Sequence, residues 1–201
     1  MCIIGLIDDS ESECETYSNR LSHREIELLI MNSIENEEDI IDWVQDNRIE
    51  VLLIDYKLFD LYAYSGSNLI QRINNIIPDL PCFLFTSNPD EDVLVAQSLI
   101  IDKECFVEDT DGYANKLKQA AEVFRNRQEI SRNEYLELLN KKKESRIEPK
   151  EEIRFFELQK RLVAYGVIEE VPEALQKSNF EERIDSLIKL ADKIISENEE
   201  R

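Results

Sequence analysis

The sequence is short of several residues on which common functional sites depend. It contains one histidine, four cysteines and four glycines. No two cysteines form a C-x-x-C pair, so the sequence does not predict a structural zinc site. His23 stands alone among polar residues, which leaves a Cys–His or Ser–His–Asp nucleophile system without a suitable base. Neither an ATPase signature nor a helix-turn-helix is recognisable.

Long apolar runs and clusters of basic residues are also scarce. No apolar run approaches the roughly 20 residues that cross a membrane. The start, "MCIIGLIDDS", lacks the basic region and cleavage site of a secretory signal, and we therefore expect a cytoplasmic protein with no membrane contact. The net charge of −20 disfavours phosphate backbones, so no nucleic-acid partner is expected. Cys82 and Cys105, within or beside apolar runs, are expected to be buried and reduced.

The first part of the sequence alternates between strand-like and helix-like patterns. Short apolar runs predict five strands, at 2–7, 26–31, 51–54, 82–85 and 105–107. Helical spacing predicts five helices, one starting after Ser10 with Glu13 in a capping box, three at about 37–47, 67–77 and 90–101, and one from near Asp111. Strict alternation predicts βαβ units and a doubly wound parallel sheet.

From about residue 126 the pattern is helical throughout. The fifth helix continues, and Pro149 opens another in which Phe155, Leu158, Leu162 and Tyr165 form an apolar stripe that ends before Gly166. A last helix is predicted from about Phe180. Its stripe at 180–195 is either core or an exposed face for a partner helix. We therefore predict an α/β domain at 1–125 and an α-helical output or interaction module at 126–201.

The "KKKESR" run at 141–146 allows two interpretations. It is either a solvated helix end, where cations suit the helix dipole, or a nucleic-acid contact. The dipole favours the first.

Polar side chains follow four of the predicted strands. They are Asp8 and Asp9 after the first, Asp55 after the third, Thr86 and Ser87 after the fourth, and Glu108 and Asp109 after the fifth. Ligand sites of doubly wound sheets lie beyond the carboxyl ends of the strands. The sequence therefore predicts a site there; the alternatives are a degenerate acidic pocket and, for Thr86, a residue that only satisfies a turn.

Residues 1–125 resemble the receiver domain of two-component response regulators. The likeness is carried by "IIGLIDDS", "VLLID", "GSNLIQRI" and "FLFTS", in this order. It implies a sheet of order 2-1-3-4-5, phosphoryl acceptance on Asp55, a Mg²⁺ ion held by Asp8, Asp9 and Asp55, and contact of Thr86 with the phosphoryl oxygens. Oxygen ligands of this kind suit Mg²⁺.

The sequence also departs from the receiver pattern. Receivers carry a lysine after the fifth strand, where Glu108 or Asp109 stands here, while Lys103 would precede that strand at its opposite end. The stretch "FDLYAYSG" is about three residues longer than its counterpart. Its Tyr62 and Tyr64 either contact a partner or pack over the sheet.

Two functions remain open from the sequence. In the first, a histidine kinase or small phosphodonor loads Asp55, and output passes through protein contacts of residues 126–201. In the second, the chain is an adaptor that works without phosphorylation. Neither is a stand-alone enzyme, and the long fifth helix is compatible with a homodimer.

Overall fold

A computed structural model describes residues 1–33, 37–58, 65–89 and 99–169. Three expectations lie outside these ranges, namely most of the helix at 90–101, the loop with Tyr62 and Tyr64, and the last helix from Phe180.

The described residues form five strands and six helices. In chain order they are β1 (Cys2–Ile7), α1 (Glu11–Ser22), β2 (Ile26–Met31), α2 (Glu37–Asp46), β3 (Val51–Asp55), α3 (Gly66–Ile76), β4 (Cys82–Thr86), β5 (Ile100–Asp102), α4 (Lys103–Glu108), α5 (Thr110–Lys143) and α6 (Pro149–Ala164). The strands form one parallel sheet of order β2-β1-β3-β4-β5. The predicted fold class is confirmed, because this is a doubly wound order.

Hydrophobic layers cover both faces of the sheet. On one face, α2 and α3 pack on the strands through residues that include Val44, Leu69 and Leu52. On the other, α1 and the first half of α5 pack through residues that include Leu21, Leu117 and Leu53. Leu52 and Leu53 are neighbours that point to opposite faces, which explains why the strands are continuous apolar runs rather than alternating ones.

The helix α5 crosses the predicted boundary at 125/126 without a break. Beyond residue 126 it packs against α6; we call this pair the α5–α6 hairpin. Leu138, Phe155 and Leu158 form its apolar contact. Arg154 also donates two hydrogen bonds of 2.8 Å to the Glu134 carboxylate.

The end of α6 returns to the sheet part of the chain. Leu162 and Tyr165 join the hydrophobic cluster that contains Phe124 and Ile77. The Tyr165 hydroxyl donates to Asp79 over 3.1 Å. The predicted stripe on this helix is confirmed as buried, and its last two members share a core with residues 1–125.

The basic run ends a helix, in agreement with the favoured interpretation. The helix α5 ends at Lys143, and the next helix presents acids to its last turn. Lys141 contacts Glu151, and Lys142 Nζ lies 3.2 Å from Glu152. These lysines therefore join the two helices of the hairpin.

The predicted fifth strand at 105–107 is wrong. The strand is Ile100–Asp102, and residues 105–107 belong to α4. The Asp102 carboxylate accepts a hydrogen bond from the backbone N–H of Cys105 over 2.8 Å, and this cap starts the helix. Short apolar runs have the same appearance in a strand and in a buried helical turn, so periodicity alone could not separate them. The predicted helix at 90–101 therefore also overran the strand.

Two smaller expectations are wrong as well. The capping box at the start of α1 does not form, since the Ser10 side chain makes no cap hydrogen bond and the Ser10 N–H donates to Asp8 rather than to Glu13. Cys105 is exposed, because it lies on the outer side of α4, whereas Cys82 is buried as expected. None of the helices in the described ranges is both long and apolar enough to cross a bilayer.

Candidate functional site

Three residues from distant parts of the sequence meet at the carboxyl edge of the sheet. Asp8 follows β1, Asp55 ends β3, and Lys103 follows β5. The Lys103 ammonium lies 2.8 Å from Asp8 Oδ2 and 2.8 Å from Asp55 Oδ1. All three residues are buried. The site is therefore a compact cluster of two carboxylates that share one cation.

The position of Lys103 corrects the sequence analysis. This lysine directly follows the fifth strand and does not precede it. Glu108 is the last residue of α4, and Asp109 follows it; the Asp109 carboxylate accepts from the N–H of Gly112 over 2.9 Å and caps α5. The expectation that an acid replaces the lysine after strand five is wrong.

A signal for this lysine was present in the sequence. The stretch "LIIDKE", residues 99–104, begins like "LLIDYK", residues 52–57, with three apolar residues and an aspartate. In both, an apolar run ends on an aspartate, and a lysine follows within two residues. The stretch at 52–57 contains the end of β3, the stretch at 99–104 contains β5, and both strands end at the site.

Backbone groups orient both carboxylates. The N–H of Ser10 donates to Asp8 Oδ1 over 2.9 Å, and the N–H of Lys57 donates to Asp55 Oδ2 over 2.7 Å. Each carboxylate therefore gives one oxygen to a backbone donor and the other to Lys103. This arrangement holds the aspartates in a defined orientation before any ligand binds.

Gly66 is required by a close approach beside Asp55. Its N–H donates to the Tyr56 carbonyl over 3.1 Å, at the start of α3. A Cβ at this position would lie 2.2 Å from the carbonyl oxygen of Asp55. A larger residue would therefore move α3 away from the strand end that carries the acid.

The electrostatics follow from two acids and one base in a buried place. Burial disfavours the charged form of Lys103, but hydrogen bonds and charges from Asp55 and Asp8 outweigh burial and raise its pKa. Burial raises the pKa of Asp55, the hydrogen bond and charge of Lys103 only partly offset this rise, and the negative charge of Asp8 adds to it. The lysine therefore stays charged while Asp55 holds its charge less easily than an exposed aspartate.

Glu13 is a third carboxylate at the site that the sequence analysis assigned elsewhere. Its Oε2 lies 3.4 Å from the Lys103 ammonium, with the side chain 52% exposed. The Tyr17 hydroxyl donates to the same oxygen over 3.4 Å. Tyr17 also packs edge-to-face on Phe85, whose ring lies 5.5 Å from the ammonium. Helix α1 thus contributes to the cluster through a residue one turn into the helix.

The remaining expected site residues lie around this cluster. Asp9 is exposed beside Asp8, and Lys57 is exposed after Asp55. Thr86 is buried at the end of β4, where its hydroxyl oxygen accepts from the N–H of Asn88 over 3.1 Å. Thr86 therefore satisfies a turn, which leaves its own O–H free to donate to a ligand.

The expected magnesium ligands are Asp8, Asp9 and Asp55. In the described ranges, no three side chains of the His, Cys, Asp and Glu types are placed together to hold a metal ion. Asp8 and Asp55 are turned to Lys103, and Asp9 is open to solvent. Mg²⁺ needs only one or two carboxylates with water at the other positions. The set of Asp8, Asp9 and Asp55 stays a prediction.

Comparisons with known proteins give a likeness in fold. No family model matches the chain, and no curated protein matches it. Among solved structures, a response regulator protein from Thermotoga maritima in complex with Mg²⁺ and BeF is 17% identical, with a TM-score of 0.48, over 58% of this chain and 99% of that one.

Two further solved structures have similar sequence identities and TM-scores. A response regulator receiver domain protein from Clostridium thermocellum is 20% identical, with a TM-score of 0.45, over 65% of this chain and 98% of that one. A match in a complex of a histidine kinase with the Thermotoga maritima response regulator is 17% identical in sequence, with a TM-score of 0.46. It covers 58% of this chain and 98% of that one. The fold of the chain is assigned from its own strand order.

Proposed function

We propose that the chain is a response-regulator-like signalling protein that accepts a phosphoryl group on Asp55. One observation carries the proposal, namely that the Lys103 ammonium lies 2.8 Å from both Asp8 and Asp55. A missing lysine and a longer loop after Asp55 would favour an adaptor that works without phosphorylation, and this lysine is present after β5. With the lysine in place, the cluster has an acceptor, a second acid and a cation.

The proposed transfer requires little of the protein beyond position and charge. An oxygen of Asp55 forms a bond to phosphorus while the P–N bond of a phosphohistidine or the P–O bond of acetyl phosphate breaks. The leaving group keeps the electron pair. The acceptor gains negative charge, and Lys103 stands where a charge-assisted hydrogen bond to the new phosphoryl oxygens offsets it. The Thr86 hydroxyl is the expected second donor.

The expected metal contributes charge neutralisation. Mg²⁺, when bound, would offset the charge on the phosphoryl oxygens during transfer. Asp9 and Asp55 would hold it, with Asp8 beside them and hydrogen-bonded to Lys103. The exposed position of Asp9 leaves it accessible to a hydrated cation.

Output through the helical part is favoured by the connection between the site and α5. Lys103 is the first residue of α4, and Asp109 joins this helix directly to α5. A movement of the lysine toward a phosphorylated Asp55 would therefore act on the helix that leads into residues 126–201. A histidine kinase or small molecule is the proposed donor, and another protein or a second copy of the chain is the proposed partner. We propose no role for nucleic acid.

The proposal is tested by phosphorylation of the purified chain. With acetyl phosphate and Mg²⁺, we expect the intact mass to rise by one phosphoryl group. With beryllofluoride and Mg²⁺, we expect a change in the fluorescence of Trp43, the one tryptophan of the sequence. Asp55→Asn should abolish both responses, whereas Asp111→Asn, at an exposed position on α5, should keep them.

Two results would contradict the proposal. A wild-type chain without any Mg²⁺-dependent response would favour the adaptor function. An unchanged mass gain in Asp55→Asn would place the acceptor at another residue.

A further inference from the structure

A cavity of about 690 Å³ lies at the end of the sheet opposite Asp55. It opens where the α5–α6 hairpin leaves the sheet part of the chain. One wall is α5, with Arg125 and Arg132, and the other includes Arg48 in the turn before β3. Phe124 and Tyr165, in edge-to-face contact at 5.4 Å, contribute apolar surface to the lining.

The charges around this cavity differ from those of the whole chain. Three arginines and two glutamates line it, although the chain has a net charge of −20. Arg125 Nε lies 3.3 Å from Glu50 Oε1, so that pair is largely compensated. Arg48 and Arg132 are exposed and form no ion pair with any residue of the described ranges. Two guanidinium groups are thus available to an anion.

Helix geometry supports a single binding surface on α5. Arg125 and Arg132 are seven residues apart, which is two turns and about 10 Å along the helix, so both project from the same side. A guanidinium presents a planar fork of N–H donors that matches phosphate oxygens. The volume of the cavity lies within the range of small-molecule sites, and such sites combine apolar surface with a few polar groups.

We propose that this cavity binds a nucleotide-like ligand, a small organic phosphate that carries an aromatic ring. Arg48 and Arg132 hold the phosphate, and the ring lies on the apolar surface near Phe124 and Tyr165. The site is independent of phosphoryl acceptance on Asp55. Because its walls come from both the sheet part and the hairpin, a bound ligand strengthens the attachment of the hairpin.

The test uses the full chain and two probes, AMP and GMP. Adenosine and inorganic phosphate serve as the separate parts of AMP, and guanosine replaces adenosine for GMP. Binding is followed by the thermal unfolding midpoint and by the fluorescence of Trp43, which neighbours the cavity residue Val44 in α2. We expect at least one of the two nucleotides to give a saturable response that neither part reproduces.

Variants locate the site. The double variant Arg48→Ala with Arg132→Ala should weaken binding at least about tenfold, since it removes charge-assisted hydrogen bonds. Arg146→Ala is the matched control, because Arg146 pairs with Glu144 and does not line the cavity. Asp55→Asn should also bind normally, which separates this site from the proposed phosphoryl acceptor.

Each other outcome overturns the inference. If neither nucleotide responds at millimolar concentration, the cavity is not a nucleotide site. If the double arginine variant binds as tightly as Arg146→Ala, the ligand lies elsewhere. If inorganic phosphate alone reproduces the response, the surface is a simple anion patch, and if adenosine or guanosine alone does, the arginines have no role.

Discussion

The two ends of the parallel sheet differ in the kind of side chain that they bury. At the carboxyl end, Asp8, Asp55 and Lys103 are buried charges held together by short hydrogen bonds. At the amino end, Leu162, Tyr165 and Phe124 bury apolar surface where the hairpin docks. Buried ion clusters contribute little net stability, because desolvation offsets their attraction, whereas buried apolar side chains stabilise directly. The charged cluster is therefore a candidate functional site, whereas the apolar contacts at the other end attach the hairpin to the sheet part.

The largest expected effect comes from removing the cation at the carboxyl end. Lys103→Met leaves two buried carboxylates without their partner and should lower the free energy of unfolding by about 3–5 kcal/mol at pH 7. Without the ammonium, burial raises the pKa of Asp55 unopposed, so the native state binds a proton more readily than the unfolded state and stability should recover as the pH falls from 7 toward 5. Urea unfolding at the two pH values measures both effects.

The control for this variant is Lys57→Met, at the exposed lysine beside Asp55. It should change stability by no more than about 0.5 kcal/mol. Equal losses in the two variants, or a loss in Lys103→Met that does not depend on pH, would contradict the contrast between the two ends.

The second largest loss of stability is expected at the amino end of the sheet. Leu162 is fully buried between α6 and the sheet part, and Leu162→Ala should cost about 3 kcal/mol through lost apolar contact and the cavity left behind. Leu136→Ala, at a leucine that is 43% exposed on α5, should cost less than about 1 kcal/mol. If the hairpin and the sheet part unfold in one transition, Leu162→Ala should move that single transition to a lower urea concentration. A separate early transition would show that the two regions unfold independently.

A smaller effect is expected for a polar contact at the same end. Tyr165→Phe removes the hydroxyl that donates to Asp79, at an expected cost of about 1 kcal/mol. Burial, with the nearby Asp79 charge, raises the pKa of Tyr165 from 10.0 to about 12. The native state therefore keeps this proton longer than the unfolded state, and stability should fall between pH 10 and 12.

The contribution of Tyr165 is isolated by comparing pH slopes. The fall above pH 10 should be shallower in Tyr165→Phe than in the wild type. A slope in Tyr165→Phe identical to that of the wild type would show that this proton is not linked to folding.

The smallest change in stability is expected for a residue beside the charged cluster. Glu13→Gln removes the half-exposed carboxylate 3.4 Å from Lys103 and should change stability by less than about 0.5 kcal/mol, because solvent screens such a pair. Thermal unfolding of this variant beside Glu15→Gln, an exposed residue of the same helix, provides the measurement. A loss comparable to that of Lys103→Met would mean that Glu13 is an equal member of the buried cluster.

The elements with strong periodicity were predictable, and the weak ones were not. The first four strands, the helix before Pro78 and the helix between Pro149 and Gly166 lie where the sequence analysis expected them. The fifth strand has three residues, and so short a run has no period of its own. Because the strand was expected at 105–107, Lys103 was expected before it, at the opposite end of the sheet. The predicted site therefore contained the acids and lacked the lysine.

The sequence by itself determined a doubly wound parallel sheet with Asp8 and Asp55 at the carboxyl ends of neighbouring strands, because periodicity and strand polarity are local properties of the chain. The tertiary structure alone decided that Lys103 joins these acids, that Glu13 stands beside it, and that Leu162 returns to the opposite end of the sheet. Lys103 and Asp8 are 95 residues apart in sequence, and contact between them depends on how every intervening element packs. Ion pairs and cavities form between elements, so no single stretch of sequence encodes them.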